Sequence, residues 1–195
     1  LGTLSSAAAR QGIKVVFPCG HKDPSQLVDA HVSIIDTMNG KKRDVAGVTA
    51  EFGVPPQLMV DFQALVGDSV DNIPGVPKVG AKTAAKWLMQ YGSLDAVVAN
   101  AGEIKGVVGE NLRNALEWLP TARQLVTIKT DCDLSAYLPG LPAMESIAIS
   151  AQQTGALRDF YQKYGFKGLA HALGAAPVAA AKPAAPLGKK KDDGG

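Results

Sequence analysis

Apolar residues along this chain change their spacing near residue 44. Before it they fall in short runs, and beyond it they recur at helical intervals. Residues 1–11 read as a helix that Gly12 closes, with no capping residue ahead of it, which suggests a piece of a longer chain. Residues 13–17 form a short apolar run expected to be a buried strand, and 31–36 a second strand ended by the Asn39–Gly40 turn. A polar loop, Gly20-His21-Lys22-Asp23, follows the first strand, and 24–28 suit a short helix. Helix, strand, loop and strand in that order predict the α/β half of a parallel-sheet protein, whose ligands sit beyond the strand ends.

From residue 44 onward strands are expected to stop. Asp44 can cap a helix reaching residue 52, and Pro55-Pro56 open another with Leu58, Val60, Phe62, Leu65 and Val66 as apolar positions. Further helices are predicted over 80–91 (ended by Gly92), 94–100 (capped by Ser93), 110–119, 122–128, 152–164 and 169–173. Trp87, Tyr91, Trp118, Phe160, Tyr161 and Tyr164 fall at helical spacing and are assigned to the core. Three parts result: an α/β part over 1–43, a helical part over 44–173, and an Ala/Pro/Lys-rich linker or tail over 174–195.

Composition narrows the class without naming a chemistry. Of the 195 residues, 46% are apolar and 19% charged, as in a globular protein, and the net charge of +2 is too small to indicate nucleic acid by itself. Cys19 and Cys132 lack metal-ligand spacing and read as buried or half-buried thiols of a reducing cytosol. No run is long enough for a membrane helix, so a cytoplasmic location and no membrane partner are expected. His31 and His171 are taken as structural.

Chemistry concentrates between residues 60 and 86. Asp68 and Asp71, three apart, share one side of a turn and repel unless solvent, a lysine or a metal such as Mg²⁺ offsets them; the same spacing also suits a capping Asp68 and a turn-bonding Asp71. Ile73-Pro74-Gly75-Val76-Pro77-Lys78-Val79-Gly80 is a tight turn whose bare N–H groups can approach phosphate, with Gly80 opening a helix. Lys78, Lys82 and Lys86 recur every four residues, and no acid lies over 72–94. Asp23 is well placed to ligate a metal; His21 is softer and neutral, and the loop could equally be ordinary surface.

Residues 67–80, Gly-Asp-Ser-Val-Asp-Asn-Ile-Pro-Gly-Val-Pro-Lys-Val-Gly, closely resemble the signature of the flap endonuclease and 5′–3′ exonuclease family, as in the 5′ nuclease domain of bacterial DNA polymerase I. The likeness extends to residues 20–27, 52–56 and 127–131, and covers 1 to about 173. It implies a PIN-like α/β fold, here a partial parallel sheet, followed by a helix–three-turn–helix DNA-binding element at about 57–92. It also implies two divalent ions, Mg²⁺ or Mn²⁺, with Asp23, Asp68 and Asp71 as catalytic metal ligands and His21 as a further candidate. The backbone around Gly75, Val76, Val79 and Gly80 would grip duplex or flapped DNA, around a bound K⁺, with Lys78, Lys82 and Lys86 in support.

Two residues depart from the pattern. His21 stands where the family usually has Asp, and Val70 where it usually has Ser. The family's remaining acids are expected upstream of residue 1, and polymerase domains in cis beyond the linker. The leading expectation is a metal-dependent nuclease of a bacterial, nucleoid-associated replication and repair protein, the isolated chain being weakly active or inactive. A non-catalytic duplex-DNA-binding fragment is the alternative, and a structural adaptor a third.

Overall fold

Strand β1 (Val15–Pro18) lies parallel to β2 (Val32–Ile35), Val15 opposite Val32 and Pro18 opposite Ile35. The computed structural model describes residues 1–141 and 143–174. The expected linker beyond Gly174 lies outside the described residues. Phe17, Val32 and Ile34 point into the core, whereas Ile13, Val16 and Ile35 point out. The strands therefore alternate, and the expectation of a fully buried run over 13–17 is corrected.

The sheet is also mixed rather than purely parallel. Asp36 accepts the Gly40 N–H on its carbonyl and the Met38 N–H on its carboxylate, and Gly40 sits at φ 72°. This turn reverses the chain, so β3 (Lys42–Arg43) pairs antiparallel with β2. A parallel partner would have needed a long crossover.

Capping chemistry sets the helices that follow. Helix α1 (Gly2–Arg10) precedes the sheet and ends ahead of Gly12 at φ 73°. Asp44 accepts the Gly47 N–H at 3.0 Å and starts α2 (Val45–Phe52), which Gly53 ends in the left-handed region. A single 3₁₀ turn, Pro56–Leu58, leads into α3 (Met59–Val66). Beyond the turn at 67–80 come α4 (Ala81–Tyr91), ended by Gly92, and α5 (Leu94–Ala99), capped by the Ser93 hydroxyl. The helix expected over 110–119 is instead α6 (Gly106–Asn114), followed by a turn and then α7 (Leu119–Val126). Pro120 explains the break: it has no N–H to give the Leu116 carbonyl, yet fits the first turn of a new helix.

Helices α3, α5 and α7 are tied by one guanidinium. Arg123 lies 2.7 Å from Asp61 Oδ1 and 2.9 Å from Asp95 Oδ1, while Asp61 Oδ2 accepts the Leu94 N–H at 2.8 Å. Asp61 is buried, and these partners offset the cost of keeping its charge there. Around them Phe62, Leu65, Leu88, Leu112 and Leu119 form the core, with Trp87 among them as expected.

The chain divides into a unit of Leu1–Ile147 and another from Ala148. In the second, α8 (Thr154–Lys163) and α9 (Lys167–Ala172) bury no residue. Phe160 and Tyr164 are exposed and pack ring to ring at 4.7 Å, so their assignment to the core is corrected. Cys132 is exposed as well, not buried.

Strands do not stop at residue 44. Two residues each, β4 (Gly67–Asp68) and β5 (Ile73–Pro74), pair antiparallel, because two glycines let their backbones touch. A Cβ on Gly67 would stand 2.6 Å from Ile73 O, and one on Gly75 2.5 Å from Gly67 N. Gly67 adopts φ 80°, ψ −179°, a region essentially open to glycine alone. Gly67→Ala is therefore expected to destabilise the fold by about 3 kcal/mol or more, read as a lowered urea midpoint. Gly80→Ala, with nothing within 4 Å of its Cβ position and a φ of −95°, should cost far less.

Candidate metal centre

The close approach of Gly67 and Gly75 carries Asp68 directly over the loop that follows β1. One oxygen each of Asp23, Asp68 and Asp71 lies within 4.8 Å of the others. Asp23 opens a short 3₁₀ segment, Asp23–Leu27, and Asp68 ends β4, so residues far apart in the chain meet here. The three line both a cleft of about 410 Å³, shared with His21, Arg43 and Glu51, and one of about 270 Å³, shared with Thr127 and Ile128. His21 borders the first cleft, but its ring nitrogens are not in the clustered set.

Each acid is satisfied according to its burial. Asp68 is buried; its Oδ1 accepts the Val70 N–H at 2.9 Å and the Asp71 N–H at 3.4 Å, and its Oδ2 meets Lys22 Nζ at 2.9 Å. The Lys22 hydrogen bond, outweighing burial and aided by the backbone N–H groups, holds the Asp68 carboxyl below its ordinary value. Asp23 is half-buried and accepts Gln63 Nε2 at 2.6 Å. Asp71 is exposed. The turn bond expected of Asp71 is thus made by Asp68, whose Oδ1 accepts the Val70 and Asp71 N–H groups, while Asp68 also stands close to the other two acids.

Sequence reasoning missed the residues that hold this arrangement. Arg43, nearly buried, donates Nε to Glu51 at 2.9 Å and Nη1 to the Gly20 and His21 carbonyls at 3.4 and 3.3 Å. Its hydrogen bond, first among the causes, keeps the Glu51 carboxyl low. Lys22 stands inside the polar loop after β1, and its charge beside acids could have flagged it. Nothing in spacing pointed to Arg43 or Gln63.

The turn beyond Asp71 is held from behind. Trp118 Nε1 donates to Pro74 O and Asn111 Nδ2 to Pro77 O, both at 2.7 Å. Val76 and Val79 are buried, and their N–H groups are spent on Leu65 O and Val76 O. These two N–H groups therefore anchor the turn. Gly75 likewise serves the backbone crossing. Gly80 differs, lying in open space at the N-terminus of α4 with no side-chain cap. Lys78, Lys82 and Lys86 are all exposed. Asn72 at φ 55° and Lys78 at φ 64° are the non-glycine residues at positive φ among those described, so backbone strain collects in this turn.

The chain is similar to known proteins in sequence and in fold. Residues 54–146 match the family described as 5′-3′ exonuclease, C-terminal SAM fold. DNA polymerase I of Pseudomonas aeruginosa is 41% identical over 163 residues, covering 75% of this chain and 17% of that relative. DNA polymerase I of Bacillus caldotenax is 33% identical over 173 residues, covering 86% of the chain and 19% of its own length. The chain thus spans about a fifth or less of these relatives. Among solved structures, T5 5′-exonuclease with bound divalent zinc superposes with a TM-score of 0.58 at 20% identity, over 63% of this chain and 46% of that one. The T5 D15 flap endonuclease, in a complex with DNA and metal ions, gives 0.59 at 19%, over 63% and 46%. These likenesses carry the fold, a mixed α/β PIN-like one. No helix among the described residues is long and apolar enough to cross a membrane.

Because the Asp68 carboxyl is depressed by folding, its contribution to stability is present above the ordinary carboxylate value of 3.8 and lost as pH falls through the lower folded value. The stability difference between the wild type and Lys22→Met is expected to be full near neutral pH and to shrink below that point, as chemical denaturation at a series of pH values would record.

Proposed function

Residues 54–146 match the 5′-3′ exonuclease family, and on that footing we propose that the chain belongs to it and is the C-terminal part of a metal-dependent nuclease acting on 5′ ends and flaps of DNA. The observation that carries this reading is the meeting of Asp23, Asp68 and Asp71 within 4.8 Å, next to a braced, lysine-bearing turn. Carboxylate oxygens without thiol or imidazole form a hard donor set, which fits Mg²⁺ or Mn²⁺ better than zinc. Held by Asp23, Asp68 and Asp71, such ions would polarise a phosphodiester and make water a better nucleophile.

The chain's own residues prepare that chemistry. Arg43 fixes the Gly20–His21 backbone so that Asp23 enters at a set angle, and Gln63 orients its carboxylate. Lys22 neutralises Asp68 and leaves its Oδ2 as the position a metal competes for. Duplex phosphates meet Gly80 and the first turn of α4, with Lys78, Lys82 and Lys86 alongside, in the helical part that starts at residue 44. The K⁺ implied at this turn would draw on carbonyls other than those of Pro74 and Pro77, which Trp118 and Asn111 already occupy. Cytoplasmic work on chromosomal DNA beside polymerase domains follows from the same reading.

A second reading has one observation of its own. Both oxygens of Asp68 are engaged, one by an ammonium, while the DNA-facing turn is whole. A chain in this state binds duplex without cutting it.

The two separate on a 5′-flap DNA offered with Mg²⁺ or Mn²⁺ to the full-length protein that carries this chain. Cleavage that Asp68→Ala and Asp71→Ala each lower at least a hundredfold supports the nuclease; unchanged cleavage would remove the ligand assignment. Binding is expected to weaken in Lys78→Ala and Lys82→Ala, with the log–log salt slope falling by about 0.9 for each phosphate no longer neutralised. Equal binding by these variants at all salt concentrations would exclude the turn as the DNA-binding surface.

A further inference from the structure

Gln63 has a detail that orienting Asp23 does not explain. Its side chain is buried, Nε2 gives a 2.6 Å hydrogen bond to Asp23 Oδ1, and Oε1 has no hydrogen-bond partner. Native interiors leave few such atoms unpaired, and each calls for a cause. An amide's oxygen and nitrogen are nearly equal in size, so half a turn about the last side-chain bond exchanges them. Against a bare carboxylate, nitrogen must point at Asp23. Once a cation joins that carboxylate, oxygen does better there. The 2.6 Å spacing is close to the roughly 3 Å between neighbouring oxygens around a small six-coordinate ion.

We propose that Gln63 is a fourth, neutral oxygen ligand of the divalent-metal centre, its amide turning over as the ion arrives. This rests on the metal-binding reading of Asp23, Asp68 and Asp71 given above. The arrangement adds a hard oxygen without adding a negative charge to a cluster that already holds three carboxylates. It also gives the buried Oε1 a partner in the loaded state, while Nε2 serves the empty one. Gln63 projects from α3 one turn before Gly67, so the helix that delivers Asp68 delivers this ligand too.

Mn²⁺ titration of the intact chain, followed by the electron paramagnetic resonance of the free ion, tests the assignment. Gln63→Leu is expected to weaken Mn²⁺ binding about tenfold and Gln63→Glu to tighten it about tenfold, in line with changes at metal-site partners. A residue that merely donates to Asp23 gives the opposite result for Gln63→Glu, because a carboxylate there repels Asp23. Weaker binding by Gln63→Glu, or unchanged binding by Gln63→Leu, overturns the proposal. Asp68→Asn runs in parallel: if it loses Mn²⁺ while Gln63→Leu does not, the Gln63 assignment alone fails. If the wild type takes up no Mn²⁺, or Asp68→Asn binds as well as wild type, the metal-binding reading fails with it. Should Gln63→Leu not fold, the Gln63 side-chain amide resonances of the wild type decide. They should move on Mg²⁺ addition as the bond to Asp23 breaks, and a constant position rules the exchange out.

Discussion

Everything near the candidate centre hangs on the meeting of two residues without side chains. Gly67 at the end of α3 and Gly75 beyond β5 touch backbone to backbone, closer than any Cβ would allow. Val76 N–H closes the same crossing on Leu65 O at 2.8 Å. The acids between them and the turn after them therefore share one frame. Movement of α3 would shift Asp68, Asp71 and the lysine turn together, so the acid cluster and the lysine-bearing turn are held in fixed relation by steric fit rather than by charge.

Charge then decides how much burial each acid can bear. Asp68 is the most buried of the three and has the most partners: two backbone N–H groups and the Lys22 ammonium. Asp23, half-buried, has the Gln63 amide, and Asp71 is left to solvent. This gradation is what the cost of desolvating a carboxylate requires. Lysines farther along the same segment face outward, where no acid competes for them. One short stretch thus turns hard oxygens inward and positive charge outward.

Behind the turn, the bracing comes from residues far along the chain. Trp118 and Asn111 occupy the Pro74 and Pro77 carbonyls, and the break between α6 and α7 is what sets Trp118 at that height. Arg123 on α7 locks α3 and α5 through Asp61 and Asp95. A hairpin with strained Asn72 and Lys78 persists because these neighbours over-determine it.

Features whose cause lies within a few residues were legible in the chain: the Asp44 and Ser93 caps, the Asn39–Gly40 reversal, the Gly92 ending, and the family pattern over 67–80. They are set by backbone conformation and by hydrogen bonds a residue makes to its near neighbours, which local sequence determines. Tertiary structure alone decided the rest. The antiparallel β3, the β4–β5 pair, the exposure of Phe160 and Tyr164, and the roles of Arg43, Gln63, Asn111 and Trp118 depend on partners brought from elsewhere. So does the meeting of Asp23 with Asp68 and Asp71. The residue types named the chemistry, but only packing across the whole domain sets the distances at which carboxylates can act together.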